Sequence, residues 1–169
     1  LQNIEEFEAD RDTSTSLFEH LSTFAIEHKP SAENVDEIIA ELQDENPRLA
    51  SLLRALSRMT LTPTIVRGGI KSNSVPESIR LTCDVRTLPH QDEEYVKAEL
   101  TRILEGVPGV EFEIDYMARP NSSPFETDFV DRIKRATERA VGRYDLQWVP
   151  GISTGFTDSR FTRLLGVDT

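Results

Sequence analysis

The sequence predicts an α+β chain in two unequal parts, and three observations carry that prediction. Apolar residues recur at helical spacing through most of the first 60 positions. The apolar period then shortens to two near Thr62, and strand and helix patterns alternate as far as residue 118. A link rich in proline and serine, R-P-N-S-S-P at 119–124, separates this run from a further helix, strand, loop and helix. Residues 1–118 are therefore expected to form an incomplete split β-α-β arrangement, α-β-β-α-β, one strand short. Residues 119–169 are expected to be a fragment of an open α/β sheet.

Each element has its own signal. Leu17, Phe18, Leu21, Phe24 and Ala25 follow a helical period, with Ser16 and Glu19 spaced as a capping box. Pro30-Ser31 breaks and restarts the chain. Val35, Ile38, Ile39 and Leu42 form a second stripe. Asn46-Pro47 reads as a cap followed by proline at the first helical position. Leu49, Leu52, Leu53, Leu56 and Met59 form a third stripe. The acidic opposite faces read as solvated surface. Residues 62–70 read as a strand ending in a Gly-Gly bend, and 71–77 as a loop. Residues 78–86 alternate, with Ile79, Leu81, Cys83 and Val85 on one face and Arg80, Thr82, Asp84 and Arg86 on the other. Val96, Leu100, Ile103 and Leu104 predict a helix over 91–105 with Gly106 as its cap. Val110, Phe112, Ile114 and Tyr116 predict a strand over 110–116. Beyond the link, Phe129, Ile133, Ala136 and Ala140 predict a helix over 126–141 that ends at Gly142. A short strand at 146–149 and a short helix from Asp158 follow.

The strands at 78–86 and 110–117 would be joined by a right-handed parallel crossover with room for one strand between them. Such a gap exposes unpaired backbone on both sides. The sequence thus predicts that a strand from elsewhere fills the gap, or that the chain associates.

Composition excludes several classes of function. Of 169 residues, 37% are hydrophobic, with eight Phe and one Trp, so a core is attainable. The net charge of −11 argues against nucleic acid or an anionic membrane as partner. No basic stripe with interleaved aromatics occurs. Apolar runs of a few residues are too short for a transmembrane helix. The acidic first residues carry no signal-peptide pattern, and the expected compartment is the cytoplasm. Cys83 is the single cysteine, which rules out an intrachain disulfide and a cysteine zinc site. Its place in the alternating strand reads as a small buried hydrophobe.

Few residues suit chemistry. His20, His28 and His90 have no second ligand at metal spacing, and no H-E-x-x-H pattern occurs, so no metal ligands are expected in this chain. Ser153 and Thr154 lie near a helix start, but no G-x-S-x-G elbow occurs. What remains is friendly to anions. Asn73 sits in the polar loop K-S-N-S-V-P, and its amide offers both a donor and an acceptor. Asp84 and Arg86 share the polar face of a strand, and Arg86 offers a planar fork that fits a carboxylate. Gly155, Thr157, Asp158 and Arg160 surround a helix N-terminus, where free N–H groups favour an anion. A plain N-cap at Asp158 and a local turn bond at Thr157 explain those residues equally well.

Three segments together carry a resemblance: T-P-T-I-V-R-G-G-I-K-S-N-S-V-P-E, then C-D-V-R-T-L-P, then G-F-T-D-S-R-F-T-R-L-L-G-V. In order and spacing the series over 62–167 resembles the dinuclear zinc metallopeptidase and deacylase family. That family includes carboxypeptidase G, aminoacylase, acetylornithine deacetylase and succinyl-diaminopimelate desuccinylase. The resemblance implies a catalytic domain with two zinc ions, and an inserted lid of the ferredoxin-like type that makes a homodimer. It implies that 1–118 is lid, lacking its first strand, and that 119–169 re-enters the catalytic domain. It implies a zinc-bound water attacking the amide of a peptide or N-acyl amino acid, with a glutamate outside this chain taking its proton.

Residue by residue, Asn73 matches the Asn-x-x-Pro loop that contacts substrate, often across the dimer. Arg86 matches the Asp-x-Arg strand that contacts the substrate carboxylate. Gly155 and Thr157 match the glycine-rich loop whose backbone faces the substrate. Asp158 and Arg160 match the Thr-Asp-x-Arg motif and are expected to orient that loop. The sequence also departs from the pattern. His-x-Asp, the bridging Asp, the Glu-Glu pair, the late metal His and the lid's opening strand with its His are absent, and Phe156 stands where a second glycine is usual. The expectation is a piece of a zinc-dependent amide hydrolase that supplies dimerisation and substrate contacts, is inactive alone, and takes its metal ligands from elsewhere. The alternative is a ferredoxin-like dimerisation module without catalysis.

Overall fold

In the computed structural model, which describes residues 2–21, 29–118, 120–153, 155 and 157–169, one asparagine sets the geometry of the helical stretch. Asn46 ends helix α3 (Val35–Glu45) and begins helix α4 (Pro47–Leu56). Its N–H donates to the Leu42 carbonyl at 2.8 Å, and its side-chain oxygen accepts from the Leu49 N–H at 3.1 Å. Pro47 follows at the first helical position, where a missing N–H costs nothing. The chain therefore reverses on a single residue, as the sequence predicts. Replacing Asn46 with alanine is expected to cost about 1 kcal/mol in urea unfolding, the usual worth of an N-cap. An unchanged midpoint would remove the cap from the account.

The described residues form two compact units, 1–10 with 58–119, and 11–57 with 120–169. The helical unit also holds helix α2 (Ser16–Glu19). Leu17, Phe18 and Leu21 meet Val35, Ile38, Ile39, Ala50, Leu53 and Leu56 in its core. Two expectations are corrected here. Leu52 is 43% exposed, and Ala50 takes the buried place, because 50, 53 and 56 follow one face and 52 does not. Ser16 and Glu19 form no capping box: Thr15 is the N-cap and accepts no cap bond, so the spacing falls one position inside the helix. Phe24 and Ala25 lie outside the described residues.

The same unit carries helix α6 (Asp128–Val141). Thr127 caps its start by accepting from the Val130 N–H at 3.2 Å. Gly142 ends it at φ 72°, and its N–H and that of Arg143 both donate to the Glu138 carbonyl. The predicted stripe is present but exposed, with Phe129 at 42% and Ile133 at 43%. Helix α7 (Ser159–Arg163) closes the chain's element order.

The other unit is built on a hairpin. Helix α1 (Gln2–Glu5) and helix α5 (Glu93–Leu104) accompany strand β1 (Thr60–Gly68) and strand β2 (Ile79–Arg86). The strands pair antiparallel, from Thr60 opposite Arg86 to Gly68 opposite Ile79. The register slips between Pro63 and Ile65, which accommodates a proline that has no N–H for the ladder. Leu81, Cys83 and Val85 form the more sheltered face of β2, as the alternation predicts. Ala9, Met59 and Val96 form the core, with Phe7, Val85, Tyr95, Leu100, Ile114 and Met117 against it. Gly106, at φ 75°, follows the end of α5.

Two predicted strands are not formed. Residues 110–116 and 146–149 carry no ladder, and the sheet among the described residues has the two strands β1 and β2 alone. A strand exists only with a hydrogen-bonded neighbour, and alternation cannot supply one. The segment at 110–117 still lies near β2: Arg80 Nη1 reaches Glu113 Oε1 at 3.5 Å, and Ile114 and Met117 share a core with Val85. This arrangement suits a missing neighbour. Amides of 110–117 are expected to exchange far faster than those bonded between β1 and β2. Strong protection of both in a monomer would contradict the gap.

Candidate functional site

The polar face of β2 presents Arg80, Thr82, Asp84 and Arg86 to solvent. Residues two apart on a strand share a face, and here they pair: Arg86 Nε donates to Asp84 Oδ2 at 2.6 Å. Both side chains stay about half exposed, so the pair orients the guanidinium more than it stabilises the fold. Asn73 sits in the loop between β1 and β2, exposed, where Ser74 N–H closes a turn on the Lys71 carbonyl.

Asn73 and Arg86 are not neighbours. The hairpin turn joins Gly68 to Ile79, while Arg86 stands at the far end of β2 opposite Thr60. The eight strand residues from Ile79 to Arg86 span about 23 Å, seven steps of roughly 3.3 Å each. The hairpin thus carries Asn73 in the loop at one end and Arg86 at the other.

The remaining predicted residues lie in the other compact unit. Gly155 is held by Ser153, whose Oγ donates to the Gly155 carbonyl at 3.1 Å and lies 3.3 Å from the Gly155 N–H. Thr157 is exposed, and its carbonyl accepts from the Arg160 N–H at 3.2 Å. Asp158 is the N-cap of α7 by position, yet its side chain accepts no cap bond. The Arg160 guanidinium stacks over the Phe161 ring at 4.5 Å. Thr154 and Phe156 lie outside the described residues.

The sequence reading missed the ties that hold this turn. Arg163 Nε–H is shared between Ser123 Oγ at 3.0 Å and Thr169 Oγ1 at 2.9 Å, and Nη1 donates to Asn121 Oδ1 at 3.3 Å. Asn121 Nδ2 donates in turn to the Arg160 carbonyl at 2.7 Å. Asn121 and Ser123 had read only as linker composition, and no short-range pattern connects them to residues some forty positions on.

The described residues do not fit a metal. No three His, Cys, Asp or Glu side chains among them converge on one point. His20 Nδ1 lies 2.8 Å from the Ser16 carbonyl, and its ring meets Phe125 edge-on at 5.3 Å. His90 is exposed in the turn after Pro89, and His28 lies outside the described residues. A depression in the hairpin unit, about 680 Å³ between α5 and Phe112, includes none of the predicted site residues.

Cys83 is half-buried rather than fully buried. Burial pushes its thiol above the ordinary cysteine range. Iodoacetamide at pH 8 is expected to alkylate Cys83 more slowly than an unstructured cysteine peptide. Faster alkylation would reverse that sign.

Comparison with known proteins bears on the hairpin unit and the helices before it. Residues 27–109 match the family model of the peptidase dimerisation domain. No curated protein and no solved structure matches the chain. No helix among the described residues is long and apolar enough to cross a membrane.

Proposed function

Residues 27–109 are a peptidase dimerisation domain, the lid of the metallopeptidase and deacylase family, and from that premise we propose that the chain is the self-associating, substrate-holding piece of an amide hydrolase. The substrate class is a peptide or an N-acyl amino acid with a free carboxylate. Residues 1–118 serve as lid and 119–169 as re-entry into the catalytic domain, in a cytoplasmic enzyme. The family's metal ions, zinc in this reading, supply the hydrolytic chemistry, and their ligands come from outside this chain. The residues present here bind and orient.

Arg86 receives the substrate carboxylate on its planar fork. Asp84 fixes that fork through Nε, so less side-chain freedom is lost when the anion arrives. Asn73 offers an amide to the carboxylate or to the developing oxyanion. Gly155 and Thr157 present backbone, and Asp158 and Arg160 orient their turn.

The observation that carries this reading is the separation of Asn73 from Arg86 within a domain that dimerises. A site that uses both must take one of them from each copy. Subunit mixing tests it. In the full-length enzyme, Arg86→Ala and Asn73→Ala variants would each be impaired. Mixed at random, they should regain about a quarter of wild-type activity, because half of the two-fold dimers hold one intact site of two. No recovery in proven mixed dimers would place both residues in one copy's site or in none.

The second reading, a dimerisation module without catalysis, is favoured by the matched domain's own description. It leaves the turn at 157–160 without a task. Carboxylate dependence separates the two. Hydrolysis of an N-acyl amino acid but not of its carboxamide supports the enzyme, and failure on both supports the module.

A further inference from the structure

The turn at 157–160 has no obvious means of keeping its position. Helix α7 is five residues long, far below the length at which a helix persists alone. Its N-cap side chain makes no cap bond. Its apolar residues Phe161 and Leu164, with Leu165 beyond, are exposed, so packing does not seat it. Among the described residues, a hydrogen-bonded set ties it to the segment after Pro120. Arg163 reaches Asn121, Ser123 and Thr169, and Asn121 reaches back to the Arg160 carbonyl. That carbonyl is one of the last-turn acceptors that a helix cannot satisfy by itself. The bonds among Arg163, Asn121, Ser123 and the Arg160 carbonyl are partly buried and so sheltered from the competition that weakens surface pairs, whereas the Thr169 contact is exposed.

We infer that Arg163 is a positioning residue, which with Asn121 clamps the Thr157–Arg160 turn to the segment following Pro120. The consequence for substrate rests on the function proposed above, whereas the clamp itself does not. A guanidinium suits this task because its Nε–H and Nη1–H hold fixed directions toward the Ser123 and Thr169 hydroxyls and toward Asn121 Oδ1, and a lysine ammonium on a flexible stem does not hold them together. Asn121 is equally committed, accepting from Arg163 on one atom and donating to Arg160 on the other.

Hydrogen exchange on the full chain tests the clamp. Arg163→Ala and Asn121→Ala are each expected to lower protection of the amides from Arg160 to Arg163 by about tenfold or more, leaving α3 and α4 unchanged as the control for folding. Arg163→Lys should recover part of the loss. The double variant should lose little beyond either single one, since both remove the same unit. Unchanged exchange in Arg163→Ala, or fully additive losses, would overturn the clamp. In the full-length enzyme, Arg163→Ala should raise KM by about tenfold with kcat within about twofold, the pattern of lost binding. An equal fall in kcat at constant KM would deny it a positioning role. Exchange loss in a protein that hydrolyses no N-acyl amino acid would leave the clamp standing and remove the proposed function.

Discussion

On the function proposed, replacing Arg86 with alanine in the full-length protein is expected to lower kcat/KM for an N-acyl amino acid by about 30- to 1000-fold, equivalent to about 2 to 4 kcal/mol. Two effects combine. The fork proposed to receive the carboxylate is lost, and Asp84, then without its partner at 2.6 Å, would present its own negative charge to an anionic substrate. Stability should scarcely change. Both side chains are about half exposed, and such a pair contributes roughly 0–1 kcal/mol. Large loss of activity with an unmoved melting temperature is thus the signature. Arg86→Lys should recover only part of the rate, since it restores charge without the planar fork. Wild-type kinetics in Arg86→Ala would remove this residue from the site.

Leu53→Ala should be the most damaging conservative change to the fold, costing about 3 to 5 kcal/mol. Leu53 is fully buried and lies in the apolar cluster formed by α2, α3 and α4. Truncation leaves a cavity that these helices cannot close without moving together. Leu52→Ala, one position earlier, should stay within about 0.5 kcal/mol, because that side chain faces solvent. Urea unfolding of the two variants reads the contrast directly. Similar losses in both would mean that the buried face of α4 is wrongly assigned.

The contrast between neighbouring leucines shows what the sequence can express. Local chemistry is legible: Asn46 followed by Pro47, and Gly142 after a helical stripe, each specify a helix end, and each does so here. Alternation over 78–86 likewise specifies a strand with a sheltered face. The same alternation at 110–116 does not make a strand, because the ladder needs a neighbour that this chain does not place there. The segment at 146–149 fails for the same reason. Leu52 fits a stripe on paper, yet which edge of a stripe turns inward depends on the opposing helices.

The candidate site divides in the same way. Asp84 and Arg86 pair because residues two apart on a strand must share a face, which the sequence states openly. The distance from Arg86 to Asn73 follows only once the hairpin register is known. The Arg163 clamp depends on residues about forty positions apart, and no periodicity records it. The family resemblance was legible through short motifs in fixed order, and two of its three segments fall within the matched domain at 27–109.

We propose a division of labour, in which this chain dimerises and holds substrate while the metal ligands lie elsewhere. Metal content tests it most directly. The chain is dialysed against a slight excess of zinc, freed of loosely bound ions, and analysed by mass spectrometry of the metals. Near-zero zinc per chain is the predicted result. One or two tightly held zinc ions per chain would contradict it, and would mean that the histidines and carboxylates of this chain build a metal centre themselves.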